Sequence, residues 1–221
     1  IAEDLFISNT AKPNLEFIME LNKEAYDIVT KYNPFEDIIK QHTMFPYYVR
    51  FLPKDRRLKA YKLLLKMDKG YNDALYSRKN KTQCRQNLRY CPLSVEEERS
   101  KYGETYWHRE HQIQKIRVCP KHRCFLEDSE IAISAKTSPG LHDAESNVPD
   151  NSETKVCNSD SEIEFTQYVI DVMHEPIDLE NPLSIGKFLH SRLGSEYASS
   201  SGLVRNKTKL YEDYLAFYGD E

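Results

Sequence analysis

The stretch that decides the fold is RYCPLSVEEERSKYG, residues 89–103, read together with VCPKH, residues 118–122. In each stretch a proline follows the cysteine, and three residues after the cysteine comes Ser94 in the first and His122 in the second. Paired ligands at this spacing, each pair held in a tight turn, are typical of a tetrahedral zinc site. The pattern therefore predicts a zinc-finger module of the Cys3His type in which one cysteine is replaced by serine. Its predicted metal ligands are Cys91, Cys119 and His122.

The fourth ligand of this site is left open by the sequence. A neutral hydroxyl such as that of Ser94 is a poor zinc ligand compared with a thiolate. Other residues close in sequence offer better ligand atoms, namely Cys84, Cys124, His108 and His111. Loss of zinc, with the remaining cysteines kept as small buried residues, is an alternative interpretation of the same pattern.

Length and composition describe a globular chain with a polar surface. Its 221 residues, 39% hydrophobic and 30% charged, suffice for one large domain or two small ones. No apolar run approaches the length of a membrane-spanning helix. Five cysteines without a signal-peptide pattern favour metal binding or free thiols over disulfides. Because the chain begins at Ile1 rather than at methionine, we expect it to be a piece of a longer protein.

The formal net charge of -4 is the sum of two regions of opposite sign. Residues 40–125 contain 21 Lys and Arg against 8 Asp and Glu, whereas the rest of the chain contains 10 against 27. Such a basic region indicates a polyanionic partner, chiefly nucleic acid. Within it, residues 76–90 form a loop without acidic residues that leads into the first cysteine turn. We predict that this loop contacts DNA phosphates through Arg78, Lys79, Lys81 and Arg85.

In the rest of the chain, the spacing of apolar residues mainly indicates helices. The strongest helix is predicted at residues 53–70, since Pro53 opens it and Gly70 ends it. A stripe of lysines on this helix suits either solvent or phosphates, and consists of Lys59, Lys62, Lys66 and Lys69. A further helix is predicted at residues 12–29, and the proline-broken residues 42–53 are predicted to be an extended connector.

Three regions are predicted along the chain. Residues 1–128 form a helical and zinc-finger domain, and residues 129–161 form an acidic, Ser/Asn-rich linker or poorly ordered excursion. Residues 162–221 hold three short helical segments that are predicted to form a bundle similar to a helix-turn-helix. The predicted fold class is mainly α, with the zinc finger inserted in the helical domain.

Several motifs, in this order, resemble the TnsD/TniQ family of target-site selectors from Tn-seven-like transposons. They are HTMFP at residues 42–46, RYCPLS at 89–94, YGETYW at 102–107 and CPKH at 119–122. FYGD at residues 217–220 is similar to a segment that follows this region in the family. The resemblance implies a helical region with a Cys3His zinc finger. By resemblance, three ligands fall on Cys91, Cys119 and His122. The family's fourth cysteine falls on Ser94.

The resemblance also implies a function. A member of this family would bind a double-stranded DNA target and recruit the transposon's AAA+ ATPase regulator, as a non-enzymatic protein of the prokaryotic cytoplasm and nucleoid. Zinc is the expected cofactor, and neither a membrane partner nor a small-molecule substrate is expected. An alternative is a protein-protein adaptor fragment that docks the ATPase while other modules bind DNA.

A catalytic function is a weaker alternative. A Cys-His hydrolase would pair Cys91 with His111 or His122, but the spacing of the paired turns is already accounted for by zinc. The sequence contains no Walker motif, dinucleotide-binding loop or HExxH motif. The carboxylates of residues 96–98 are predicted to lie on the exposed face of a short helix that ends at Gly103.

Overall fold

The computed structural model describes residues 2–7, 15–17, 20–75, 87–133, 142–182, 188, 192–197 and 206–218. Its first helices are α1 (Ala2–Leu5), α2 (Lys23–Thr30), α3 (Phe35–His42), α4 (Phe45–Val49), α5 (Lys54–Leu65) and α6 (Tyr71–Leu75). Next come β1 (Asn87–Tyr90), α7 (Pro92–Tyr102), a 3₁₀ turn (Glu110–Gln112), β2 (Val118–Cys119), β3 (Cys124–Phe125) and β4 (Glu127–Ala132). The last helices are α8 (Asp160–His174) and α9 (Lys207–Tyr218). The described chain is therefore rich in helix, as the sequence predicts, and it also contains small sheets.

Buried apolar side chains, here called the helical core, hold α2 to α6 together. Its largest fully buried members include Phe45, Leu64 and Tyr71. Burying a side chain of this size stabilises the fold by about 1.5–3 kcal/mol. Ile113 and Ile116, which lie beyond the 3₁₀ turn, belong to the same cluster. The helical core thus anchors the segment that leads into β2.

Two antiparallel pairs of strands follow the helices. β1 pairs with β4, with Arg89 opposite Asp128, and β2 pairs with β3, with Cys119 opposite Cys124. Each pair has only two strands, so neither forms an independently stable sheet. Both depend on their packing against neighbouring elements.

Helix α7 has well-defined signals at both ends. Cys91 is its N-cap, with Sγ accepting from the Ser94 N–H, and Pro92 occupies the first turn, where no amide hydrogen is needed. Gly103 ends the helix with φ of 86°, a left-handed conformation that favours glycine. The predicted end of this helix at Gly103 is confirmed.

The prediction of an extended connector at residues 42–53 is wrong. This segment contains α4, in which Pro46 lies in the first turn. A proline there does not interrupt a helix, because the first amides have no intrahelical acceptor.

The helix predicted at residues 12–29 begins later than expected. In the structure α2 starts at Lys23, because the Asn22 side chain caps it by accepting from the Ala25 N–H at 2.8 Å. Before the cap, Leu21 pairs with Phe6 in an isolated antiparallel bridge. The apolar residues that suggested one continuous helix are instead divided between the segment before Asn22 and the helix after it.

Two of the three helices predicted near the C-terminus are confirmed as α8 and α9. The third, at residues 181–194, lies mostly outside the described residues, so the bundle stays a prediction. The domain boundaries at residues 128 and 161 also stay predictions. In the predicted linker, the buried Ala144 and Val148 lie in an apolar cluster. None of the described helices combines the length and the apolar composition needed to cross a membrane.

Candidate metal centre

The three predicted ligands come together from two turns of the chain. Cys91 lies between β1 and α7, Cys119 ends β2, and His122 lies in the turn that joins β2 to β3. His122 Nδ1 is 3.3 Å from Cys91 Sγ and 3.7 Å from Cys119 Sγ. All three ligand atoms lie within 4.8 Å of one another. They are close enough to bind one metal ion.

The donor set fits a zinc ion. Cys91 and Cys119 are free thiols, both buried, and His122 is only 16% exposed. Two sulfurs and one imidazole nitrogen at these separations match the soft and borderline ligands that zinc prefers. The residues present are therefore compatible with the zinc that the sequence predicts.

The buried thiols interact strongly with one another. Cys119 donates a hydrogen bond to Cys91, which lowers the pKa of Cys91 to about 4. The same contact, together with burial, raises the pKa of Cys119. Burial and the neighbouring Cys91 raise the pKa of Cys124 to about 12. Without a cation only one thiol of the group ionises easily, and a divalent metal would displace the protons of the others.

Two candidates for the fourth ligand lie at this centre. Ser94 Oγ is 3.2 Å from His122 Nδ1, and Ser94 is buried. Cys124 Sγ is 3.4 Å from Cys91 Sγ and is completely buried. Cys124 is outside the group of three atoms that lie mutually within 4.8 Å. Each candidate atom lies within 3.4 Å of one of the three ligand atoms, and ligand chemistry favours the thiol of Cys124.

The other candidates are placed differently. Cys84 lies outside the described residues. His108 Nε2 is hydrogen-bonded to Glu98 Oε1 at 2.5 Å, and its ring packs against His111 with centroids 4.7 Å apart. Burial lowers the pKa of His111 to about 3, with smaller contributions from nearby cations. His111 therefore stays neutral inside the protein.

A buried carboxylate fixes the loop that follows α7. Glu98 is only 6% exposed, and its Oε2 accepts from Thr105 Oγ1 at 2.7 Å while Oε1 meets His108. The ring of His108 in turn stacks on Tyr106. Sequence reasoning placed the acidic run of residues 96–98 on an exposed face of the helix, and for Glu98 this is wrong. The available signal was its position seven residues, or two helical turns, after Cys91.

A groove of about 270 Å³ lies beside the centre. It is bordered on one side by Ser94, Glu97 and Lys101, which α7 places on one face at intervals of three and four residues. Cys119 and Lys121 of the second turn border the opposite side. The groove gives solvent access to the edge of the metal centre.

The predicted DNA-binding residues Arg78, Lys79, Lys81 and Arg85 lie outside the described residues. Arg89, at the end of the same loop, is internal: its guanidinium donates to the Ile113 carbonyl at 2.7 Å. Of the lysine stripe on α5, Lys59 and Lys62 are exposed. Lys69 is exposed as well and pairs with Glu20 at 2.7 Å.

The chain is similar in sequence to known proteins. The TniQ family model matches residues 14–126, just over half of the chain and including all three metal-ligand candidates. The transposon Tn7 transposition protein TnsD of Escherichia coli is 31% identical over 88 residues. That alignment covers 39% of this chain and 17% of TnsD, so the chain spans a small part of this relative. The family resemblance of the sequence motifs is confirmed: the chain belongs to the TniQ family.

Proposed function

We propose that this chain is a target-selection factor of a transposition system, which binds double-stranded DNA and recruits an AAA+ ATPase regulator to it. The observation that carries the proposal is the TniQ match over residues 14–126, together with similarity to a transposition protein. A factor of this kind has no catalytic activity of its own and works in the cytoplasm at the nucleoid.

The distribution of charge supports DNA as the partner. The 21 Lys and Arg of residues 40–125 would neutralise phosphates and release counterions, so affinity would fall steeply with salt. Lys59, Lys62 and Lys66 are exposed along one stripe of α5 and its C-terminal end. The predicted loop, which has no acidic residues, follows α6 directly in the sequence. We propose that the stripe and the loop together contact the DNA backbone.

Zinc would have a structural part in this function. Bound by Cys91, Cys119 and His122, it would join the start of α7 to the β2–β3 turn. Structural sites of this kind have buried protein ligands, and both cysteines here are at most 3% exposed. The module would then present a fixed surface to DNA or to the ATPase.

An adaptor function is the second candidate. It is supported by Phe165 and Tyr168, which are 54% and 66% exposed, three residues apart on one face of α8. Exposed aromatic side chains are enriched at protein interfaces. In this alternative the fragment docks the ATPase and DNA is bound elsewhere.

DNA binding is tested by fluorescence anisotropy with labelled duplex DNA across a salt series. We expect Lys59→Glu/Lys62→Glu and Arg78→Glu/Lys79→Glu each to weaken binding about tenfold or more at low salt, and to flatten the salt dependence. Lys207→Glu, an exposed lysine on α9, is the matched control and should change little.

Two outcomes would contradict the DNA proposal: no binding at the lowest salt, or equal losses in the basic variants and in the control. Retention of the ATPase by the immobilised chain in nuclease-treated buffer, combined with absent DNA binding, would favour the adaptor.

A further inference from the structure

The two ring nitrogens of His122 meet different environments. Nδ1 faces the metal centre, 3.3 Å from Cys91 Sγ and 3.2 Å from Ser94 Oγ. Nε2 faces the opposite way and lies 3.2 Å from Oε2 of Glu97. An imidazole that binds a metal through one nitrogen generally donates its other N–H to an acceptor, which fixes the ring and its tautomer.

The position of Glu97 follows from helix geometry. Cys91 is the N-cap of α7, and Glu97 lies six residues further along, within two turns. The β2–β3 turn packs against this part of the helix, because Lys121 of that turn forms an ion pair with the same Glu97 oxygen. One carboxylate therefore contacts two consecutive residues, Lys121 and His122.

We propose that Glu97 is a positioning residue for the metal centre: it accepts the Nε2–H of His122 and so presents the Nδ1 lone pair to a zinc ion. Lys121 holds the Glu97 carboxylate in place. The inference rests on the proposed zinc site, and it assigns a function to an exposed acidic residue that binds neither metal nor DNA.

The expected loss of zinc affinity depends on how exposed the Glu97 side chain is. Removing such an outer carboxylate commonly lowers metal affinity 10- to 100-fold. The Glu97 side chain is 47% exposed, so water screens part of its interaction. We therefore expect a loss near the lower end of this range, about tenfold.

The test is competition between the full chain and a chromophoric chelator for Zn²⁺, with the wild type, Glu97→Gln, Glu97→Ala and the control Glu96→Ala. Glu96 is exposed and lies on the same helix. We expect affinity to fall in the order wild type, Gln, Ala, because glutamine keeps an acceptor but loses the charge, while Glu96→Ala matches the wild type. Lys121→Ala should give a loss smaller than that of Glu97→Ala.

A second readout separates positioning from folding. In the zinc-loaded protein the metal occupies Nδ1, so Nε2 carries the proton in every variant and only its hydrogen bond to Glu97 differs. The Nε2–H signal of His122 should therefore lie further downfield and exchange with water more slowly in the wild type than in Glu97→Ala. Equal affinity in Glu97→Ala and Glu96→Ala, or an unchanged Nε2–H signal, would overturn the inference while leaving zinc binding intact. Absence of zinc binding by the wild type would instead overturn the proposed metal site on which the inference rests.

Discussion

The helical core and the metal module, here defined as residues 87–112 and 117–126, bury different kinds of side chain. The helical core buries large apolar side chains such as Phe45 and Tyr71. The module instead buries polar groups, among them Ser94, Glu98 and His111, beside two thiols of the metal centre. Each buried polar group must find a partner to avoid a desolvation cost. Apolar burial therefore stabilises the helical core, whereas we propose that the module depends on polar pairing and on a bound metal.

The apolar cluster that packs against the start of α7 is small. Tyr90 and Val95 form a buried cluster with Ala144 and Val148 of a later segment, and Trp107 packs against it. Trp107 also donates its indole N–H to the His142 carbonyl at 2.8 Å. So small a cluster stabilises little by burial alone.

Removing zinc should cause the largest loss of stability, and we expect this loss in the module. Structural zinc sites contribute apparent binding free energies of about 10–16 kcal/mol in small fingers, and folding and binding are coupled there. We expect Cys119→Ser, or treatment with a strong chelator, to remove hydrogen-exchange protection from α7 and β2. Protection in α5 should be largely kept. Equal loss of protection in α5 and α7 would contradict the division into two differently stabilised regions.

Truncation of a large side chain in the helical core should destabilise the protein without affecting zinc binding. Phe45 is fully buried, and its ring lies 5.6 Å from that of Tyr61. We expect Phe45→Ala to lower the free energy of unfolding by about 3–5 kcal/mol, measured by urea denaturation. Zinc content under folding conditions should not change. Phe51→Ala, at a 51% exposed position, is the control and should cost far less.

His111 should make the stability of the module depend on pH. Its pKa is lowered to about 3 in the folded protein, mainly by burial, against about 6.5 in the unfolded chain. Protonation therefore favours unfolding. The contribution of neutral His111 is complete above pH 6.5 and is lost at about 1.4 kcal/mol per pH unit below it.

By this reasoning the stability difference between wild type and His111→Gln should shift by about 2 kcal/mol from pH 7 to pH 5. Both proteins are compared at saturating zinc at each pH, so that the difference reports the histidine. A difference that is constant across this range would show that His111 is not held neutral by burial.

Changes at the fourth ligand position should give the smallest of these effects. Ser94→Cys places a thiol where Ser94 Oγ lies 3.2 Å from His122 Nδ1, and we expect zinc affinity to rise about tenfold or more. Cys124→Ser is the companion variant. An unchanged affinity in Ser94→Cys with a loss in Cys124→Ser would identify Cys124 as the fourth ligand.

The parts of the molecule that sequence could predict are those with local signals. The spacing of the two cysteine-proline turns predicts Cys91, Cys119 and His122 as ligands of one metal site. Gly103 likewise predicts the end of α7. Glu97 was beyond such reasoning, because its function depends on which side of α7 faces the β2–β3 turn. Likewise, no local signal distinguished the helix α4 from an extended connector, since packing on the helical core decided between them.

The central claim is that a zinc ion joins α7 to the β2–β3 turn through Cys91, Cys119 and His122. The most direct test is elemental analysis of the protein purified without added metal or chelator, together with the same analysis of Cys119→Ser. We predict about one zinc per chain in the wild type and markedly less in the variant. A wild-type protein that is fully folded, as judged by hydrogen exchange in α7, and contains no metal would contradict the claim.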